Sequence, residues 1–264
     1  MASASEPASQ SGTDRCEISI ENLGPGSDFI GCEVIGYRGQ LLIDPAQTIG
    51  AILATAKPRV FKLTSSGGRS DGAIVLEAVL RRNKIRLLIE DYCVSACAHF
   101  LALSSSISEV GPDALVAFHH TWTSMDAMVS RDPDPRVRSF FVRIAKLEQS
   151  AYRRQGMDTR MLLMPHLQLG LKCYEPIFEG TQLVDVRYYS NYTLWSAADV
   201  SVVGARWWPE GFRTRSINQT LENVIRVIVP EERPKVFVQT SAILPREWTY
   251  QRFAATLAET KRCS

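Results

Sequence analysis

Apolar positions recur along this chain with two alternating periods. A short apolar run from Gly31 to Gly39 reads as a strand. Asp44-Pro45 then opens a helix through about Ala56, with Asp44 at the N-cap, Pro45 at the first helical position and Gln47 two residues further on. Arg59 to Thr64 (RVFKLT) alternates with period two and runs into the turn Ser65-Ser66-Gly67-Gly68. A helix over Ser70 to Asn83 follows, with Val75, Leu76, Val79 and Leu80 on one face. The alternation continues with a strand at Ile85–Ile89, a loop at Asp91–Ser95, a helix from Ala96 to about Leu103 and a strand at Leu115–Phe118. Strands alternating with helices predict an α/β protein with a mainly parallel sheet. Beyond it, Val137, Phe140, Phe141, Ile144 and Ala151 recur at helical spacing and predict one long amphipathic helix over Pro135–Arg154, closed by Gln155-Gly156. A further helix is expected over Asp158–Leu167. Strands are expected at Val224–Val229 and Lys235–Thr240, separated by Pro230 and Pro234.

Composition narrows this picture. The 264 residues are 45% hydrophobic and 22% charged, with 30 Lys+Arg against 28 Asp+Glu and a net charge of +2. A near-neutral chain gathers no polyanion, so nucleic acid is not expected as a partner. No window approaches the ~18 apolar residues of a membrane span. The Ser-, Ala- and Pro-rich start reads as a disordered leader over residues 1–30 and carries neither a basic beginning nor an apolar core, so no signal peptide is expected as written. Cytoplasmic localisation is the default expectation, with export the alternative. The six cysteines are even in number, and Cys16/Cys32 and Cys93/Cys97 lie close enough in sequence to be candidates for disulfides. The Cys-x3-Cys spacing lacks the second pair of a zinc site, so neither metal nor cofactor is expected.

Candidate chemistry gathers at strand ends. In a parallel α/β sheet, ligands and catalytic groups collect beyond the carboxyl ends of strands. Three consecutive strands deliver suggestive groups there: Gly67-Gly68, Cys93-Val94-Ser95-Ala96-Cys97, and His119-His120. Ser95 at a helix start suits an N-cap and equally a nucleophile, since unpaired amides favour developing negative charge. His99 reads as a packed helix residue and His166 as a capping or surface residue. His119 and His120 are rival bases, and strand alternation would send their rings to opposite faces.

The succession SSGG (Ser65–Gly68), CVSACA (Cys93–Ala98) and GPDALVAFHH (Gly111–His120) resembles the Clp protease proteolytic subunit and its relatives in the ClpP/crotonase superfamily. It is most similar to bacterial ClpP-like proteins with a Cys-x-Ser-Ala-Cys motif. AYRRQGMD (Ala151–Asp158) and TLWSAADVSVVGA (Thr193–Ala205) resemble the family's helical segment and closing helix. The resemblance implies a ClpP/crotonase-like spiral of ββα units over residues 31–205, followed by a C-terminal extension over 206–264. It also implies a serine peptidase acting on peptides or unfolded protein. Ser95 would be the nucleophile, His119 the base, and the amides of Gly67, Gly68 and Ala96 the oxyanion hole. Assembly into rings or other homo-oligomers, with the long helix at contacts, is implied as well.

The chain departs from the pattern at Ser66, where relatives carry Pro, and at the third triad position. The family's acidic residue is replaced there by Tyr188-Tyr189-Ser190-Asn191-Tyr192-Thr193, with no carboxylate until Asp185. Asn191 is the candidate for orienting His119. The missing carboxylate keeps a second reading open, an inactive peptide- or partner-binding module of the same fold. A crotonase-type enzyme acting on an acyl-CoA is a third.

Overall fold

The computed structural model describes residues 15–19, 26–103, 108–111, 114–163, 165, 171–190, 200–203, 236–239 and 249–264. Its main sheet begins with β1 (Arg15–Ile18), β2 (Val34–Arg38), β3 (Val60–Ser65) and β4 (Arg86–Val94), each parallel to the next. Helices α1 (Ile43–Ala56) and α2 (Ser70–Asn83) cross over between these strands. Burial explains the arrangement. Ile35, Phe61, Leu63, Leu87 and Ile89 of the sheet, with Ile49, Ile52, Leu53, Leu76 and Leu80 of the helices, are almost fully removed from water. Burial of each such side chain contributes about 1.5–3 kcal/mol.

The far half of the sheet positions the candidate residues. The first part of β4 pairs with β5 (Ser108–Val110), whereas Tyr92, Cys93 and Val94 pair with β6 (Leu115–Phe118). The register between β3 and β4 shifts between Leu63 and Ser65, near this handover. β9 (Val200–Val203) runs antiparallel to β6, and β10 (Val236–Gln239) lies parallel to β9.

A second layer follows β6. It contains α3 (Trp122–Val129), α4 (Pro135–Ser139) and α5 (Val142–Arg154), then the hairpin β7 (Leu171–Glu179) and β8 (Gln182–Ser190). Met125, Met128, Val129, Val137 and Phe141 pack against Tyr174, Leu183, Val186 and Tyr188, so the hairpin rides on the helices with its own small core. Helix α6 (Tyr250–Leu257) places Phe253 and Leu257 in the main core, and β11 (Lys261–Arg262) adds a strand parallel to β7.

Several expectations require correction. The leader assigned to residues 1–30 contains strand β1, and Cys16 is bonded to Cys32. Pairing with β2 supplies the backbone partners that a polar, proline-rich composition conceals. The first α helix begins at Ile43 with Leu42 as its N-cap, so Asp44 lies inside the first turn instead of capping it. The loop expected at Asp91–Ser95 is strand as far as Val94, because β6 satisfies its backbone. The long helix over Pro135–Arg154 breaks at Phe140–Phe141. Phe141 is buried beside Trp122, and Arg136 of the short first piece reaches the Thr181 carbonyl and the Phe178 ring of the hairpin.

Asp158 caps only a 3-10 turn over Thr159–Leu162. Residues 200–203 of the expected closing helix are strand β9, while 191–199 lie outside the described residues. The expected strand Val224–Val229 also lies outside them. Lys235–Thr240 narrows to β10. The part of the extension at 249–264 is integrated into the fold: Cys263 is bonded to Cys173, and Arg262 pairs with the buried Asp132 at 2.5 Å.

Candidate active site

β3, β4 and β6 end side by side, and each hands a loop to the same edge. Ser95 follows β4 directly. Its amide donates to the Ala117 carbonyl (3.0 Å), its carbonyl accepts from the His99 amide (3.0 Å), and its φ is +59°. A non-glycine residue in this left-handed region is strained by about 1–2 kcal/mol. The bend lifts Ser95 out of the strand line before a helical turn at Ala96–Cys97 and the π-helix Ala98–Ala102. The Cys93–Cys97 disulfide straddles the bend.

Gly67 explains the glycine pair after β3. A Cβ there would lie 2.4 Å from the Val94 carbonyl oxygen and 2.5 Å from Ser95 Cβ, so only a bare backbone fits against the serine. Its amide donates to Ser65 Oγ (3.0 Å) and its carbonyl accepts from the Leu41 amide (2.6 Å). Gly67 therefore shapes the site but supplies no open donor, which corrects its assignment to the oxyanion hole. Gly68 differs. Leu41 bridges it in parallel fashion through the Gly67 carbonyl and the Arg69 amide, a pattern that turns the Gly68 N–H away from Leu41. Among the described residues, neither the Gly68 nor the Ala96 amide has a hydrogen-bond acceptor. Both are open donors, Ala96 next to Ser95 in the chain and Gly68 next to the Gly67 that packs against it.

The histidines correct another expectation. His119 and His120 lie past the end of β6, where strand alternation no longer acts, and their rings meet. The Nδ1 atoms are 2.9 Å apart, with ring centroids at 4.3 Å and an interplanar angle of 78°. His120 Nδ1 also lies 2.6 Å from Tyr188 Oη on β8. Desolvation pushes the His119 pKa down from the ordinary 6.5 to about 4, leaving a neutral ring at pH 7. His99 is buried, as its helix position suggested, and is a positioning group besides. Its Nε2 donates to the His119 carbonyl (3.0 Å), so its Nδ1 accepts from Tyr152 Oη (3.1 Å). Burial lowers its pKa to about 3.

The structure thus brings Ser95, Gly67, Gly68, Ala96, His119 and the disulfide to one edge. Among the described residues Ser95 Oγ makes no hydrogen bond, and no bond joins it to His119. Asn191 and His166 lie outside the described residues. Asp185 faces Arg187 across 4.0 Å on an exposed part of β8, away from the role of triad acid. Sequence reasoning missed Tyr188, three residues further along the same strand. The aromatic run Tyr188-Tyr189 was visible in the sequence, but its proximity to His120 depends on a hairpin that the polar spacing of residues 171–190 did not reveal.

Among the described residues, no helix is long and apolar enough to cross a membrane and no group of three His, Cys, Asp or Glu side chains is arranged to hold a metal ion. Comparison with known proteins adds no assignment: no family model matches the sequence, and no curated protein matches it significantly.

Proposed function

We propose that this chain is a serine hydrolase of ClpP-like architecture that cleaves peptide bonds. One observation carries the reading: Ser95 stands at a left-handed bend at the end of a parallel strand, with the Gly67 main chain against its Cβ and open amides at Gly68 and Ala96 beside it. Strained serines between a strand and a helix are a recurrent way to expose a nucleophile.

In this reading Ser95 Oγ attacks the substrate carbonyl and passes its proton to His119 Nε2. The oxyanion is received by Gly68 and Ala96 N–H groups, and His119 returns the proton to the departing amine. Water then releases the acyl group by the same steps. For Nε2 to accept, Nδ1 must carry the ring proton and donate to the one lone pair of His120 Nδ1, for which Tyr188 Oη, 2.6 Å away, competes. His120, with Tyr188 beside it, thus stands where the family's carboxylate would and takes the orienting role expected of Asn191. It orients the base and stabilises an imidazolium less than an anion would, which makes this a slow enzyme.

All six cysteines are paired, as Cys16–Cys32, Cys93–Cys97 and Cys173–Cys263. This supports maturation in an oxidising compartment over the cytoplasmic default. A fluorophosphonate probe is expected to label Ser95, with labelling abolished by Ser95→Ala and strongly reduced by His119→Ala. Labelling retained in Ser95→Ala refutes the proposal. The partner-binding module is the second reading, favoured by the lack of a Ser95–His119 hydrogen bond. It requires peptide binding without turnover, and turnover lost in His119→Ala excludes it.

A further inference from the structure

Helix α5 turns Glu148 and Tyr152, one helical turn apart, toward the back of the candidate site. Glu148 is fully buried. Its Oε1 accepts from Ser70 Oγ (2.6 Å) and the Trp122 amide (3.2 Å). Its Oε2 accepts from the Thr123 amide (2.7 Å) and Thr123 Oγ1 (2.8 Å). These donors come from two different helix starts. Ser70 opens α2 just after Gly68, whereas Trp122 and Thr123 open α3 just after His120. One carboxylate therefore ties together the loops that carry the two halves of the site.

The chemistry suits a tie better than an ordinary cap. Thr121 Oγ1 already accepts from the Ser124 amide in a capping box with the Ser124 side chain, so α3 has its own N-cap. Burying a carboxylate is costly, and among the described residues no cation pairs with Glu148. Burial raises its pKa to about 7 despite four donors. A group so expensive to bury is retained where its several acceptor sites are used at once. From the same face of α5, Tyr152 reaches His99 and through it the His119 carbonyl, so α5 braces the histidine loop at two points.

We propose that Glu148 is a positioning residue that holds the oxyanion amide of Gly68 and the His119–His120 pair at a fixed separation, so that the two halves of the site move as one body. The inference rests on the hydrolase reading for its catalytic consequence, and its structural claim is tested apart from it.

The test uses the full oxidised chain carrying Glu148→Gln, whose amide cannot accept all four donors. Misplacement of one half of the site is expected to lower kcat and the rate of Ser95 labelling by about 10–100-fold. KM should stay within about 2-fold, since the loss falls on transition-state geometry. Hydrogen exchange should rise by about 10-fold or more in both segments 66–72 and 119–124. Exchange that rises in one segment alone, or in neither, overturns the proposal. So does a labelling rate that stays at the wild-type value while Ser95→Ala abolishes labelling.

Should Glu148→Gln fail to fold, Ser70→Ala cuts only the arm to α2. It is expected to raise exchange across 119–124 as well, and unchanged exchange there overturns the tie. If wild-type protein does not label at Ser95, the hydrolase reading falls. The exchange measurements alone then decide whether Glu148 couples the loops.

Discussion

Replacing Gly67 by Ala tests whether bare backbone at this position is what seats Ser95, the proposed nucleophile. Two costs add. The φ of +95° penalises any L side chain by about 1–2 kcal/mol. The new methyl would meet the Val94 carbonyl oxygen at 2.4 Å and Ser95 Cβ at 2.5 Å, and overpacking of this kind costs about 1–3 kcal/mol. The sum is about 2–5 kcal/mol. Gly180, in the β7–β8 turn, provides the control: its φ is +59°, but nothing lies within 4 Å of a Cβ built there, so Gly180→Ala carries the first cost alone.

For a chain of this size each kcal/mol moves the thermal midpoint by about 2–4 °C. Calorimetry should therefore place Gly180→Ala about 2–8 °C below wild type, with Gly67→Ala clearly lower still. Fluorophosphonate labelling should separate the two variants more sharply. The rate should be unchanged in Gly180→Ala and reduced about 100-fold in Gly67→Ala, where Ser95 must shift. If Gly67→Ala matches Gly180→Ala in midpoint and labels at the wild-type rate, the close approach of Gly67 to Ser95 is not what shapes the site.

Three further outcomes follow. Ser95→Gly should relieve the left-handed strain and exceed Ser95→Ala in stability by about 1 kcal/mol, both variants being inactive on the proposed reading. Equal denaturation midpoints would show the bend to be unstrained. Because His119 accepts a proton only when neutral and desolvation holds its pKa near 4, the residual activity of Glu148→Gln, which lacks the Glu148 titration near 7, should persist as pH falls through 6 and 5 and be half lost near 4. A half-loss near the ordinary 6.5 would refute the desolvation argument. Disulfide contributions should rank with the loop closed, at about 4.6 kcal/mol for Cys173–Cys263, about 3 for Cys16–Cys32 and about 2 for Cys93–Cys97. Denaturation of Ala-pair variants in any other order contradicts the loop-entropy account.

How much of this was legible depended on how local each determinant is. Helix α2 and strand β6 match their expected bounds because each shows a clean period and is flanked by turn residues or a polar boundary. The Asp91–Ser95 segment reads as loop because its partner β6 lies some twenty residues ahead, beyond what a local pattern reports. Order and spacing at strand ends name Ser95, Gly68 and His119 as candidates. The strain at Ser95 is not legible there, since nothing in the side chain announces a φ of +59°. His119 is preferred to His120 because it matches the position of the resembled family's histidine, and the reading that the two rings face opposite ways extends strand geometry past Phe118, where the strand stops. Tyr188 and Glu148 act across a hairpin and a helix packed by tertiary contacts, and neither lies in a motif.

The brace on His120 also sets an order in time. Tyr188 belongs to a hairpin whose other strand is bonded through Cys173 to Cys263 and flanked by β11. During synthesis the serine, the glycine turn and both histidines leave the ribosome well before Cys263 does. On the proposed reading, a growing chain holds the candidate catalytic groups before it holds the hairpin anchor, and oxidation of the last pair completes the site. In refolding, labelling of Ser95 should then appear with formation of the Cys173–Cys263 bond, and labelling that precedes it would show the hairpin needs no such anchor. On the proposed hydrolase reading, this ordering keeps cleavage away from the unfinished chain.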